Sequence, residues 1–206
     1  MRADKLPDGW VLCKLGEVSL INPRHPPNIL PENAEVSFVP MPVIDENSWK
    51  LKEMQTRPFG KVRKGYTHFS EGDVLFAKIT PCMENGKAAI ARNLVNGIGC
   101  GTTELHVIRP KIGIPPEFIY HYIHQDSFRE KAAAHMTGTA GQLRVPVNFI
   151  KEAPIPLPPL LEQQEIVRQV EVLFKFADEV EKRVKDARGQ VDKITQSVLS
   201  KAKEVP

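Results

Sequence analysis

The C-terminal part of this chain repeats apolar residues at alternating steps of four and three, from Ile166 to Val198. An apolar stripe of this spacing, sustained over several heptads, is typical of a helix that lies along another helix. We therefore predict a long helix at 160–204 whose apolar stripe packs on a second helix. The stripe consists of Ile166, Val170, Leu173, Ala177, Val180, Val184, Ala187, Val191, Ile194 and Val198.

The segment before this helix is rich in proline and reads Pro154-Ile-Pro-Leu-Pro-Pro159. A proline lacks an N–H group and pushes the residue before it toward extended geometry, so this segment cannot be helical. We predict three parts: a globular domain at 1–153, a stiff extended hinge at 154–159 and the long helix at 160–204.

Composition narrows the class of protein. The chain has 206 residues, 41% of them hydrophobic, which is enough for one ordinary core. Its three cysteines are widely spaced and suggest neither a disulfide framework nor a zinc site. No apolar stretch reaches the roughly 18 residues of a membrane span, and the N-terminus does not resemble a signal peptide. We expect a cytoplasmic protein without a membrane anchor.

Charge is distributed unevenly along the chain. The helical part from Leu160 onward is neutral, so the net charge of +3 belongs to the globular part. Its densest basic run has one opposing acid, Glu53, and contains Lys50, Lys52, Arg57, Lys61, Arg63 and Lys64. A run of this kind is either an ordinary solvated face or the footprint of a phosphate backbone.

The globular part has the pattern of a mixed α+β fold with a twisted sheet and few helices. Short β-type runs at 36–39, 74–79, 88–91 and 104–108 predict strands. The stretch from Asp73 to Arg92 predicts a hairpin that turns near Asn85-Gly86, and Asn96-Gly97 predicts a second tight turn. Helix is predicted after Pro115-Pro116, and a short extended piece at 142–149.

Motifs for common enzyme chemistry are missing from the sequence. It has no phosphate-binding GxxxxGK[ST] loop, no GxGxxG dinucleotide motif and no HExxH metal motif. His121 and His124 have a spacing that suits a metal ion on a helix, but the sequence offers no third ligand. The sequence therefore lacks the parts of these enzyme classes, and we expect neither a cofactor nor a bound metal.

A series of short motifs runs along the chain: Leu6-Pro-Asp-Gly-Trp10, Leu15-Gly-Glu17, the segment Gly72–Lys87, Gly101-Thr-Thr-Glu104, Thr137-Gly-Thr-Ala-Gly-Gln142, Pro154–Leu160 and Glu162-Gln163. The order of these motifs resembles half of a type I restriction-modification specificity (S) subunit. An S subunit of this family usually carries two target recognition domains and two helices. This chain has one of each.

The resemblance implies a DNA-reading role without catalysis. In that family a recognition domain reads one half of a split DNA sequence, and the helix that follows packs against a second helix in antiparallel orientation. A methylating (M) subunit and a DNA-translocating, cleaving (R) subunit do the chemistry. The implied partners are double-stranded DNA, the M subunit and, through the complex, the R subunit.

A protein that reads DNA needs groups that bind phosphates and groups that reach base edges. The phosphate candidates are Arg57, Lys61, Arg63 and Lys64. The candidates on or beside the predicted hairpin are Lys78, Thr80, Asn85, Lys87 and Arg92. Gln142 and Arg144, beside the Gly-rich motif, are further candidates. Two of these positions have an alternative interpretation, because turn geometry alone favours Asn85-Gly86 and the motif around Gln142 also suits a folding role.

Charges beside the apolar stripe favour an antiparallel homodimer. In a parallel dimer Arg183 would face Arg188 of the other copy, which is repulsive. In an antiparallel dimer centred near residues 185 and 186, Glu181 lies near Arg188 of the other copy. Each such exposed pair is worth only about 0.2–1 kcal/mol, so it biases the orientation of the helices. Glu181 and Arg188 therefore join the stripe residues in the predicted interface.

Two hypotheses follow from these patterns. In the first, two copies join through their helices, which then set the spacing between two recognition domains on an inverted-repeat DNA site. In the alternative, the chain is a coiled-coil adaptor whose globular domain binds a protein or peptide, and the basic run is only a solvated face.

Overall fold

The computed structural model describes residues 6–26 and 28–203, with side chains up to Thr195. The chain divides into two compact units. The first ends at Gln164 and the second begins at Glu165. The strands of the described residues are β1 Val11–Lys14, β2 Ser19–Ile21, β3 Glu35–Val39, β4 Gln55–Pro58, β5 Thr67–Ser70, β6 Val74–Ala77, β7 Ala88–Ile90, β8 Ile98–Gly101, β9 Leu105–Pro110 and β10 Pro154–Leu157. The helices are α1 Leu15–Val18, α2 Phe59–Val62, α3 Pro116–Ile123, α4 Asp126–Ala134, α5 Val147–Glu152 and α6 Leu160–Lys203.

Two four-stranded sheets form the centre of the first unit. One sheet has the strand order β2-β9-β6-β7 and is antiparallel throughout. The other has the order β4-β3-β8-β5, in which β3 and β8 run parallel. This arrangement confirms the predicted α+β class, with two four-stranded sheets and one two-stranded sheet among the described residues in place of the single twisted sheet that we expected.

The core lies between these sheets and contains buried residues of both. Val39 and Phe69 of one sheet pack in one cluster with Leu75 and Val107 of the other. Gly99 makes this packing possible, because a Cβ atom at that position would lie 1.9 Å from Cε2 of Phe69. A second cluster, which includes Phe38, Phe59 and Cys100, covers the other face of the β4-β3-β8-β5 sheet.

The predicted hairpin at Asp73–Arg92 is present as β6 and β7, paired from Val74–Ile90 to Phe76–Ala88. Its connection is longer than a tight turn and spans 78–87. Gly86 there has a φ of +80°, whereas Asn85 stays in the ordinary negative-φ region. At the second predicted turn both Asn96 and Gly97 have positive φ, at 54° and 67°.

The prediction of an extended piece at 142–149 is wrong for its second half, because α5 begins at Val147. Pro146 precedes the first helical residue, and Ile150 is buried on the helix. A proline just before a helix leaves no hydrogen bond unmade, and burial of an apolar residue outweighs the local β-preference of Val147 and Phe149.

The proline segment is extended, as predicted, and it is also a paired strand. β10 is antiparallel to β1, with Cys13 opposite Ile155. Ile155 is fully buried, so this strand contributes to the packing of the first unit. The pairing joins residues more than 140 positions apart, a contact that local sequence patterns do not reveal.

The predicted long helix is α6, which has 44 residues and a length of about 66 Å. Many apolar side chains of its predicted stripe are exposed: Leu173 by 66%, Val184 by 48%, Val191 by 61% and Ile194 by 64%. The predicted interface residue Val198 lies outside the residues whose side chains are described. No helix in the described ranges has the length and apolar character needed to cross a membrane.

Candidate functional site

Three of the sequence motifs meet at one place in the first unit, where β6 ends. The backbone N–H of Lys78 donates to the carbonyl of Glu104 at 3.0 Å, and the N–H of Val145 donates to the carbonyl of Lys78 at 2.9 Å. The Thr80 N–H donates to the carbonyl of Leu143, whose N–H donates back to Oγ1 of Thr80, each at 3.1 Å. We call this place the motif junction.

A two-bonded ion pair fixes the side chains at the motif junction. Nε and Nη2 of Arg144 each donate to one carboxylate oxygen of Glu104 at 2.9 Å. The hydrogen bonds from Arg144 hold the pKa of Glu104 below its usual value, and those to Glu104 raise the pKa of Arg144. Arg144 also donates from Nη1 to the carbonyl of Gln142. This arginine is therefore charged and oriented, with its donors directed at groups of the protein itself.

The Gly-rich motif forms an exposed loop beside this ion pair. Thr137 and Arg144 exchange two backbone hydrogen bonds, of 3.0 and 2.8 Å, that close the loop. Gly138 and Gly141 have φ values of +132° and +78°, which favour glycine. Residues 138–142 are all exposed, including the side chain of Gln142. The structure thus brings together four predicted contact residues: Lys78, Thr80, Gln142 and Arg144.

The other predicted DNA-contact residues of the hairpin, Asn85, Lys87 and Arg92, are not among those that form the motif junction. Nζ of Lys87 donates to the carbonyl of Ile44 at 3.1 Å, and Nη2 of Arg92 pairs with Glu117 at 2.5 Å. Both cations therefore tie the hairpin to neighbouring segments. Asn85 is exposed at the far end of the 78–87 connection.

The predicted phosphate contacts belong to the other sheet, on β4 and at α2. Arg63 pairs with Glu32 at 2.6 Å, whereas Lys61 and Lys64 are exposed. Within the described part of the chain, no hydrogen bond or ion pair links this group to the motif junction. The basic run is also interrupted, because Lys52 pairs with Asp45 at 2.6 Å.

Arg57 lies on an aromatic surface that sequence reasoning did not identify. Its guanidinium carbon lies 3.8 Å from the centroid of the Phe38 ring, and its Nη2 donates to Oε1 of Gln55 at 3.1 Å. The Tyr66 ring meets Phe38 edge to face, with 5.1 Å between centroids. Gln55-Thr-Arg-Pro58 has no apolar alternation that would predict a strand, so the contact becomes visible only when β4 pairs with β3.

The other motifs of the resemblance meet at the beginning of α6. Nε1 of Trp10 donates to Glu162 at 3.0 Å, and the buried Gln163 donates to the carbonyl of Pro158 at 2.8 Å. The Leu15 N–H donates to the carbonyl of Ala153 at 2.8 Å. These residues hold β1, β10 and the first turn of α6 together, which is a structural role.

His124, one of the two histidines whose spacing suits a metal site, makes its contacts within the protein. Nε2 of His124 lies 3.3 Å from the carbonyl of Glu46, and its ring stacks on Tyr120. Burial lowers the pKa of His124. Among the described residues, no group of three or more His, Cys, Asp or Glu side chains has the geometry to hold a metal ion.

Comparison with known proteins places these motifs in one family. Residues 7–187 match the family model described as the type I restriction modification DNA specificity domain. The chain is 42% identical over 180 residues to the type I restriction enzyme EcoAI specificity subunit of Escherichia coli, and 41% identical over 180 residues to the EcoEI specificity subunit. Each match covers 87% of this chain and 30% of the relative, so the chain spans about a third of the length of these relatives.

Solved structures show the same fold. The crystal structure of the HsdS subunit from Thermoanaerobacter tengcongensis is similar with a TM-score of 0.77 and 27% identity, over 96% of this chain and 50% of that chain. A structure that describes complex assembly and conformational transition of the type I R-M system gives the same TM-score at 28% identity and the same coverage. The chain therefore belongs to the family of type I restriction modification DNA specificity domains.

Proposed function

We propose that this chain reads one half of a split DNA target for a type I restriction-modification system and carries out no chemistry itself. The observation that carries this proposal is the family match over residues 7–187, because the matched motifs form a folded unit with an exposed polar loop. Family membership does not favour the alternative of a coiled-coil adaptor.

The first unit is the DNA-reading part in this proposal. The exposed cations Lys61 and Lys64 suit phosphate contacts, since each has a free charge at the surface. Gln142 and the loop at 138–141 offer side-chain and backbone amides at the motif junction. Arg144 supports the loop through Glu104, so we assign it a positioning role. The partner of this surface is double-stranded DNA in the cytoplasm.

The helix α6 joins two copies in an antiparallel pair in this proposal. Its exposed stripe supports pairing, because apolar side chains at heptad spacing gain free energy when a second helix covers them. Glu181 and Arg188 support the antiparallel orientation by charge. The M subunit, and through it the R subunit, completes the assembly and supplies methylation and cleavage.

Methylation mapping tests the function directly. The chain is expressed with its cognate M subunit, and methylated adenines are located across the host genome. We expect one bipartite site whose two halves are inverted repeats, as two identical reading units require. Methylation that is absent, or that falls on an undivided site, would contradict the proposal.

DNA binding by the purified complex separates this function from the adaptor alternative. The affinity for duplex DNA should fall steeply as salt rises, because each phosphate contact releases bound counterions. An adaptor with a merely solvated basic face would give weak binding that does not depend on the mapped sequence.

A further inference from the structure

Arg57 differs from the other arginines in the predicted contact set. Arg63, Arg92 and Arg144 each form an ion pair with a carboxylate. In the described part of the chain, Arg57 forms no ion pair. The central carbon of its guanidinium instead lies 3.8 Å from the centroid of the Phe38 ring.

The position of this guanidinium is set by the sheet. Gln55 and Arg57 are two residues apart on β4, so their side chains share one face. On the neighbouring strand β3, Phe38 lies opposite Gln55 and Val36 lies opposite Arg57. Phe38 is only 5% exposed and belongs to a packed cluster, so its ring is a firm support. We call Phe38, Gln55, Arg57 and Tyr66 the Arg57 platform.

The platform leaves donors of the guanidinium available. An arginine carries five N–H donors in a planar fork, and the contact with Gln55 uses one of them. The stack on Phe38 and the bond to Gln55 restrict the side chain before any ligand binds, which lowers the entropy lost on binding. Tyr66, which meets the Phe38 ring edge to face, is 37% exposed.

A guanidinium fork can bind either a phosphate or a guanine through two parallel bonds, but only guanine requires both of them. A phosphate is bound well by any mobile cation, such as the exposed Lys61 or Lys64. The O6 and N7 atoms of guanine are two coplanar acceptors on the major-groove edge of the base, and they require two parallel donors. β4 is also an edge strand, paired only with β3 among the described strands, so its outer side has no neighbouring strand.

We propose that Arg57 reads a guanine of the half-site through O6 and N7, with Gln55 and Phe38 as positioning residues. This assignment rests on the proposed function and makes it more specific, because it turns a residue that we had expected to bind phosphate into a base reader. Lys61 and Lys64 then contact the flanking phosphates.

The experiment uses the full chain in complex with its M subunit and duplexes that contain the mapped site. Each guanine of the half-site is replaced in turn by 7-deazaguanine, which lacks the N7 acceptor. We expect one replacement to weaken binding of the wild-type complex about ten-fold, the loss of roughly one good base contact. Arg57→Ala should weaken binding to the unmodified duplex about ten- to hundred-fold and should be insensitive to that replacement.

Two further variants make the result specific. Arg57→Lys keeps the charge without the planar fork, so its complex should also lose discrimination at that guanine while it folds normally. Lys64→Ala is the matched control, and it should weaken binding to all duplexes equally and reduce the salt slope by about one.

Three results would overturn the assignment. Arg57→Ala could behave as Lys64→Ala does, which would make Arg57 a phosphate contact. It could leave binding unchanged, which would make the platform structural. The mapped half-site could also lack a guanine. A wild-type complex that binds no duplex would instead refute the proposed function itself, so the two failures are distinguishable.

Discussion

The two units of this chain differ in how far their large apolar side chains are buried. In the first unit the large apolar side chains of the sheets, such as Phe69, Leu75 and Phe76, are at most 1% exposed. In α6 the apolar residues Leu173 and Ile194 are exposed by 66% and 64%. The first unit thus satisfies its hydrophobic surface by its own packing, whereas the helix carries a surface that gains stability only when something covers it.

The two units also differ in the burial of the ion pairs that they contain. The first unit contains the buried carboxylate of Asp73, which accepts two bonds of 2.7 Å from Arg109. Ion pairs of α6, such as Glu165 with Arg168, are exposed on both sides. Removing one partner of a pair with a buried carboxylate is strongly destabilising, whereas exposed pairs on a helix contribute little. The first unit therefore packs apolar residues and the ion pair between Arg109 and Asp73 within itself, whereas those of the helix stay exposed.

The largest expected effect comes from charges placed in the helix stripe. The double substitution Leu173→Asp and Val180→Asp would bury four carboxylates in the proposed dimer, so we expect complete loss of self-association. Sedimentation equilibrium measures this loss, and near-ultraviolet circular dichroism checks that the first unit stays folded. Lys182→Ala, on the outer side of the helix, is the control and should remain dimeric. A double variant with the wild-type mass would show that the stripe is not the interface.

The next largest effect concerns the contact between the sheets. Gly99→Ala would place a methyl group 1.9 Å from Phe69, so the core must shift to accept it. We expect the free energy of unfolding of the first unit to fall by about 3 kcal/mol. Urea denaturation followed by tryptophan fluorescence measures this change, since both tryptophans, Trp10 and Trp49, precede α6. A variant as stable as the wild type would contradict the packing that we describe.

A smaller effect, of opposite sign, is expected at a glycine of the helix. Gly189 has no atom within 4 Å of the position where a Cβ would stand. Gly189→Ala should therefore stabilise the helix by about 1 kcal/mol per copy, because alanine loses less backbone entropy than glycine. Thermal unfolding followed at 222 nm measures it, and an unchanged or lower midpoint would mean that this position is covered. Gly99→Ala and Gly189→Ala together test whether the space around Gly99 is filled and the space around Gly189 is empty.

The most modest effect is a dependence of stability on pH that is confined to the first unit. Burial is the main cause that lowers the pKa of His25, His106 and His124, and α6 contains no histidine. The unfolded chain therefore binds protons more readily than the folded one below the ordinary pKa of 6.5. Stability should be full above that pH and should fall as the pH drops through the folded pKa values. Urea denaturation at pH 7.5 and 5.5 checks this, and His106→Gln should weaken the dependence.

Sequence patterns predicted some parts of this molecule well. The β-type run at 36–39 predicts β3, the Asn96-Gly97 pair predicts a tight turn, and the heptad stripe predicts α6. Each of these is a local signal, in which the residue types alone restrict the backbone. The proline segment at 154–157 is of the same kind, since its extended geometry follows from proline chemistry.

The features that were missed depend on contacts between distant residues. The pairing of β10 with β1, the helix α5 and the stack of Arg57 on Phe38 all arise from tertiary neighbours. The ion pair between Arg144 and Glu104 joins residues 40 positions apart and is the reason that we propose a positioning role for Arg144. The sequence shows where the basic residues are but not which of them pair with a carboxylate, because the fold decides that pairing.

In the proposed assembly the helix pair sets the spacing of two DNA-reading units. Inserting seven residues into α6 between Ala187 and Arg188 adds one heptad and about 10.5 Å to the helix while the apolar stripe stays in register. Methylated adenines are then mapped for the wild type and the insertion variant, each with the M subunit. We predict the same two half-sites separated by a longer spacer, by at most about three base pairs of 3.4 Å. Efficient methylation at the original spacing would contradict the claim.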